Sequence, residues 1–277
     1  MKLYDFDGMF DEKLSTYIAK NSEKFSESEW EDAIPELYQR FGDTPIKSLG
    51  KTPRAFYAEM DGEQLIKCLK AHLKQGVPVS QFLCDAIEGK SLKAQLIPLL
   101  DGSEAERDFA INLLGADDSV IKKYLKMLSS ADDEELKSRL LELIKEKADL
   151  VTDEALELYA KGVERGYMLE IMSRTVIKNE KVFQILIKEF RGDAENIPMH
   201  AGYLAAYGDE RALEFLLDKI DEEGISFIEY RELKYAIECL GGEYEKERDF
   251  SNDPDFELIK SQDTPATDLF GGANNKN

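Results

Sequence analysis

His200, Tyr203 and Tyr207 bring an imidazole and two phenols to positions i, i+3 and i+7 of one segment. On a helix that spacing puts all three on one stripe. Such a stripe serves a groove wall, where tyrosine binds ligands well; it serves equally as core packing with the polar tips satisfied at the edge. The chain has only one other histidine, His72, four residues after Cys68, with Cys84 nearby. Two ligands at i, i+4 are half of a zinc site, and the cysteine spacing is too wide to complete one. No metal and no cofactor are therefore expected. A Gly-x-Ser-x-Gly elbow is missing, and histidines so far apart do not suit a Ser-His or Cys-His pair.

Three short stretches carry other chemistry. Asp5-Phe6-Asp7-Gly8 resembles the first motif of haloacid-dehalogenase-like phosphatases. That resemblance implies a phosphoryl-accepting first Asp and a general-acid second Asp at the end of a buried strand. Only Met1 to Tyr4 precede it and no βαβ pattern follows, so a helix-capping role is expected. Gly50-Lys51-Thr52 matches the end of a phosphate-binding loop, but Pro45 stands where that loop needs glycine, and Thr52-Pro53 reads as a helix start. Asp221 to Tyr230 echoes half of an EF-hand. With Asp218 as first ligand and Glu229 as twelfth, the third would be Ile220, and Glu223 would fill the glycine position. A register set by Gly224 would begin on Lys219 and end on Tyr230, so a turn between two helices is the expectation.

The elements that must position these residues are helical. A 3.6-residue apolar period runs through most of the chain, and no segment alternates as a strand would. Helices are expected from Met9 to Lys20, then from Ser26 or Ser28, with Ser28 and Glu31 forming a capping box, and from Thr52-Pro53 to Met60. Residues 1–60 read as an N-terminal helical cap. Regular helices follow over 61–240, with starts at Asp61, Ser80, Ser91, Asp101-Gly102-Ser103, Gly115 to Asp118, Ser130 to Asp133, Thr152-Asp153-Glu154, Glu180, Pro198, Asp209 and Ser226. Residues 241–277, with Gly241-Gly242, Asp253-Pro254, Thr264-Pro265 and Gly271-Gly272, read as an irregular acidic tail with a disordered end.

The formal charge is −21, from 36 basic and 57 acidic residues. Such a field repels phosphate backbones and anionic lipid, so neither nucleic acid nor membrane is an expected partner. Three cysteines at wide spacing give no disulfide framework, the opening residues lack a signal-peptide core, and no run reaches a membrane span. A cytoplasmic location is expected.

The segment from Leu99 to Ile144 resembles HEAT-like repeats, as does Tyr203 to Leu213. In each, an apolar helix ends at a small residue, a short acidic turn follows, and a second apolar helix begins. The regular proline and turn arginine of HEAT units are missing, which leaves armadillo- or TPR-like pairing open. The resemblance implies an all-α fold, a superhelix of helical hairpins with a concave binding face. The function expected is a non-enzymatic scaffold or adaptor that binds a basic protein or peptide in that groove, toxin-neutralising immunity proteins being one version. The alternatives are a ligand-binding or enzymatic helical domain with a pocket at His200, Tyr203 and Tyr207, and a homo-oligomeric structural protein.

Overall fold

The computed structural model describes residues 2–21 and 26–256. Among them the regular structure is helical: fifteen α-helices and three short 3-10 turns, with one isolated bridge between Ile46 and Lys51 and no strand. Among the described residues no helix is long and apolar enough to cross a membrane. The chain divides into two compact units at Asp117/Asp118. Residues 257–277 of the expected tail lie outside the described residues.

The first unit holds α1 (Phe6–Asn21), α2 (Glu27–Gly42), α3 (Pro53–Ala58), α4 (Gly62–Gln75), α5 (Gln81–Gly89), α6 (Lys93–Leu96) and α7 (Glu104–Leu114). Its α2 has its capping box two residues before the expected one. Ser26 is the cap, and Glu29 reaches back to its N–H at 2.7 Å. Ser28 and Glu31 are not the box, because pairing Ser26 with Glu29 satisfies the first free N–H groups of the helix. Aromatic rings dominate the packing: Tyr38 stacks on Phe82 at 4.6 Å, and Phe6 meets Tyr57 edge-on at 5.5 Å. Because α3 packs on α5, residues before and after position 60 share this unit.

The second unit is a succession of helical pairs. They are α8 (Ile121–Leu128) with α9 (Glu134–Lys145), α10 (Thr152–Ala160) with α11 (Arg165–Ser173), α12 (Glu180–Gly192) with α13 (Ile197–Tyr207), and α14 (Leu213–Ile220) with α15 (Phe227–Cys239). The second members also pack on one another, α9 on α11, α11 on α13 and α13 on α15. Thr152 lies inside α10 and does not cap it, because the 3-10 turn Ala148–Val151 leads directly into the helix.

The α13 sequence explains its central place. Ile197-Pro198-Met199-His200-Ala201-Gly202-Tyr203-Leu204-Ala205-Ala206-Tyr207 carries no carboxylate, lysine or arginine. A helix without a charged face is buried by its neighbours, and α11, α12 and α15 all pack on it. Its end is set by Gly208, whose φ of 68° is the left-handed conformation that glycine adopts without steric cost. After α15 the chain runs back over the unit. Tyr244 is buried and donates to Asp221 at 2.7 Å, Tyr230 donates to the Lys246 carbonyl at 2.9 Å, and Phe250 and Phe256 pack on Phe227.

Leu204 is 1% exposed in the middle of α13. Leu204→Ala is expected to cost about 2–5 kcal/mol through the cavity it leaves, read as a lower urea midpoint with far-ultraviolet helicity retained.

Candidate functional site

His200 and Tyr207 are buried and Tyr203 is half-buried. The imidazole Nε2 lies 3.2 Å from Asp193 Oδ2, and the ring meets Tyr203 edge-on at 5.9 Å. Asn196 first, and then His200, hold the Asp193 carboxyl below its ordinary range. Tyr207 has a different partner: its hydroxyl donates to the Asn179 carbonyl at 3.0 Å and accepts from the Asn179 N–H at 2.8 Å. The stripe expected from the sequence thus exists, but its two ends are engaged with the preceding turns.

The other candidates are separated. Cys68 and His72 are buried on α4, and Cys84 is buried on α5. His72 Nδ1 donates to the Pro78 carbonyl at 2.8 Å, and its buried Nε2 has no hydrogen-bond partner. Among the described residues no three His, Cys, Asp or Glu side chains come together as a metal site. Asp5 caps α1 by accepting from Gly8 N–H at 2.8 Å, and Asp7 accepts from the Tyr38 hydroxyl. Thr52 caps α3, Lys51 pairs with Glu59, and Glu229 closes a capping box with Ser226.

What Tyr207 supports is a surface feature. Between α11 and α12 the chain makes a tip, Arg174 to Asn179, whose Val176 and Ile177 side chains are 78% and 71% exposed. No other large apolar residue among those described is as exposed. Yet the backbone of the tip is fixed at both ends. Asp149 Oδ1 accepts from the Val176 and Ile177 N–H groups at 3.0 and 2.9 Å. Thr175 is buried and donates to the Met172 carbonyl at 2.8 Å. The Lys178 ammonium bonds the Tyr207 carbonyl and lies 4.3 Å from the centre of that ring. Asn179, clamped by the Tyr207 hydroxyl, caps α12 by accepting from Lys181 N–H at 2.9 Å.

Two hollows adjoin the tip. One, of 300 Å³, is lined by Lys122, Leu150, Asp153, Glu154, Ile177 and Lys178 among others. Lys122 pairs with Glu154 at 2.5 Å and holds its carboxyl below the ordinary range. The other is a groove of 720 Å³ between α10 and α12, with Leu156, Ala160 and Ile185 as its apolar part and Asp153, Glu157, Glu180, Lys181 and Gln184 around them. Asp153 borders both. This continuous face offers apolar area inside an acidic rim, which is binding chemistry; no nucleophile–base pair lies on it.

No family model matches the chain, and no curated protein or solved structure matches it either.

Burial holds the Tyr207 phenol above its ordinary value of 10.0, and burial likewise pushes Tyr203 up to about 12. The fold therefore favours the neutral phenols. Their contribution is complete below pH 10.0 and is lost as the pH rises through the raised folded values. Tyr207→Phe is expected to cost about 1 kcal/mol by removing the two-way hydroxyl bond. The same change should speed amide exchange at Asn179 and reduce the alkaline loss of stability. Equal exchange in the two proteins would contradict the clamp. Asp149→Ala should speed exchange at Val176 and Ile177 instead.

Proposed function

We propose that the protein is a non-enzymatic interaction scaffold that binds a basic protein or peptide, and that the helical pairs of the second unit form a short HEAT-like solenoid. The observation that carries this reading is the tip at Val176 and Ile177. Exposed apolar side chains on a mobile loop would cost entropy to order on binding. Here the order is already present in the hydrogen bonds from Asp149 and Tyr207. Rigid apolar groups beside polar ones match the apolar centre and polar rim of a protein interface.

The charge gives the sign of the partner. Formal charge is −21 over the chain, and carboxylates outnumber cations around the groove. Such a field speeds the approach of a basic surface and repels an acidic one. The pairing of α9, α11, α13 and α15 in succession supports the solenoid, as does their alternation with α8, α10, α12 and α14. A small-molecule or enzymatic pocket at His200, Tyr203 and Tyr207 has less to support it, since His200 and Tyr207 are buried and bonded to Asp193 and Asn179. A cytoplasmic location belongs to the same proposal.

The test compares wild type with the double variant Val176→Asp, Ile177→Asp as bait in a cell extract at low salt. Both side chains are largely exposed, so helicity and melting should be unchanged. Wild type is expected to retain a specific protein that the variant loses. Identical sets of proteins on the two baits, or nothing above background on either, would end the proposal.

A further inference from the structure

The groove between α10 and α12 has a shape that narrows what its occupant can be. One wall is Asp153, Leu156, Glu157 and Ala160, at i, i+3, i+4 and i+7 along α10; the other is Glu180, Lys181, Gln184 and Ile185 on α12. Both helices pack on α11. Leu156 and Ile185 are half-buried, while Asp153, Glu157, Glu180, Lys181 and Gln184 are exposed. Resting on the scaffold reading above, we infer that this groove takes an amphipathic helix of the partner, apolar side down, with lysine or arginine along its flanks.

Three observations favour that occupant. The walls are helices, whose backbone groups are already bonded along their own axes, so they offer no strand edge. An extended segment against the apolar part would leave its own N–H and C=O groups unpaired, whereas a helix satisfies them internally. The flanking charge is acidic, three carboxylates to one lysine. Some of it is engaged: Glu180 pairs with Arg211 at 2.8 Å, and Glu157 pairs with Lys161 at 3.6 Å with both side chains largely exposed.

The third observation is α8, an internal example of the same arrangement. Ile121, Tyr124, Leu125 and Leu128 of α8 are buried, and Lys122 on its flank pairs with Glu154 at the start of α10. A second copy of this chain is disfavoured as occupant, because two chains of charge −21 repel one another. With nine residues in α10, the facing length is about 13 Å, or two to three helical turns of the partner.

A leucine–lysine peptide of about 14 residues, ~20 Å long as a helix, is the probe. Leucines stand at i, i+3, i+4 and i+7, and a control of the same composition has the order scrambled. Fluorescence anisotropy with the full chain should show the patterned peptide binding at least about tenfold tighter than the control, a difference near 1.4 kcal/mol. Gln184→Trp, an exposed change that fills the groove, and Leu156→Glu should each remove that advantage. Melting curves establish that both variants are folded, and Gln184→Trp keeps the test valid if Leu156→Glu is not. Tyr235→Ser, an exposed change on α15 that lines neither the groove nor the tip, should bind the peptide as wild type does. Equal binding of the two peptides, or undiminished preference in folded Gln184→Trp, would overturn the helix-in-groove mode. The scaffold reading itself stands or falls separately, on protein capture by the tip variant.

Discussion

Packing around helix α13 is the constraint on which the second unit depends. With no carboxylate, lysine or arginine along it, the helix gains from cover on its apolar faces, and α11, α12 and α15 supply that cover. The same burial places the Tyr207 hydroxyl where solvent cannot compete for it, so one phenol can fix both backbone groups of Asn179. A buried hydrogen-bonding group that finds both its partners makes a unique arrangement strongly preferred over near alternatives. The order of the α11–α12 tip is therefore a consequence of core packing one helix away.

Ion pairs add a second tier of specification. Lys137 on α9 is only 7% exposed at its side chain and bonds Glu134 and Glu164 at 2.8 and 2.7 Å. Lys145, two turns on, bonds Glu142 and Glu170 at 2.7 Å each. Both lysines thus tie α9 to α11, the second helix of the next pair, where Glu164 has a left-handed φ of 43°. Pairs of this kind stabilise modestly, since each brings a desolvation cost, but they penalise a shifted register in which a lysine would be buried alone. A chain with 21 more acidic than basic charges can satisfy every such lysine and still present a negative surface.

Much of this was legible in the sequence, and what was not has physical reasons. The apolar period and the caps at Asp61, Ser103, Asp133 and Ser226 locate helices well, because both signals are local. The α2 box lies two residues from the expected one because Ser26 and Ser28 each have a glutamate three residues on, and the choice between them depends on where the chain enters the helix. The stripe at His200, Tyr203 and Tyr207 was visible as a stripe. Its destination was not, since Asn179 is 28 residues from Tyr207 and no local pattern links them. Val176 and Ile177 carry no such pattern: two apolar residues between helices look like core, yet both are exposed while Asp149 holds their N–H groups.

That hold also bears on why the two side chains face outward. Turning the Val176 and Ile177 side chains into the unit would need those N–H groups to leave Asp149, and a buried N–H without a partner costs about 1–3 kcal/mol. Burying two aliphatic side chains would return roughly 1.5–3 kcal/mol each. The two effects are comparable, so the outward arrangement does not persist for lack of an alternative of similar energy. Thr175, Lys178 and Asn179 each add a further bond to the tip in the outward arrangement. Apolar side chains held in water by the polar bonds of their own backbone, beside a groove with an apolar interior, form the surface on which the proposed scaffold function rests.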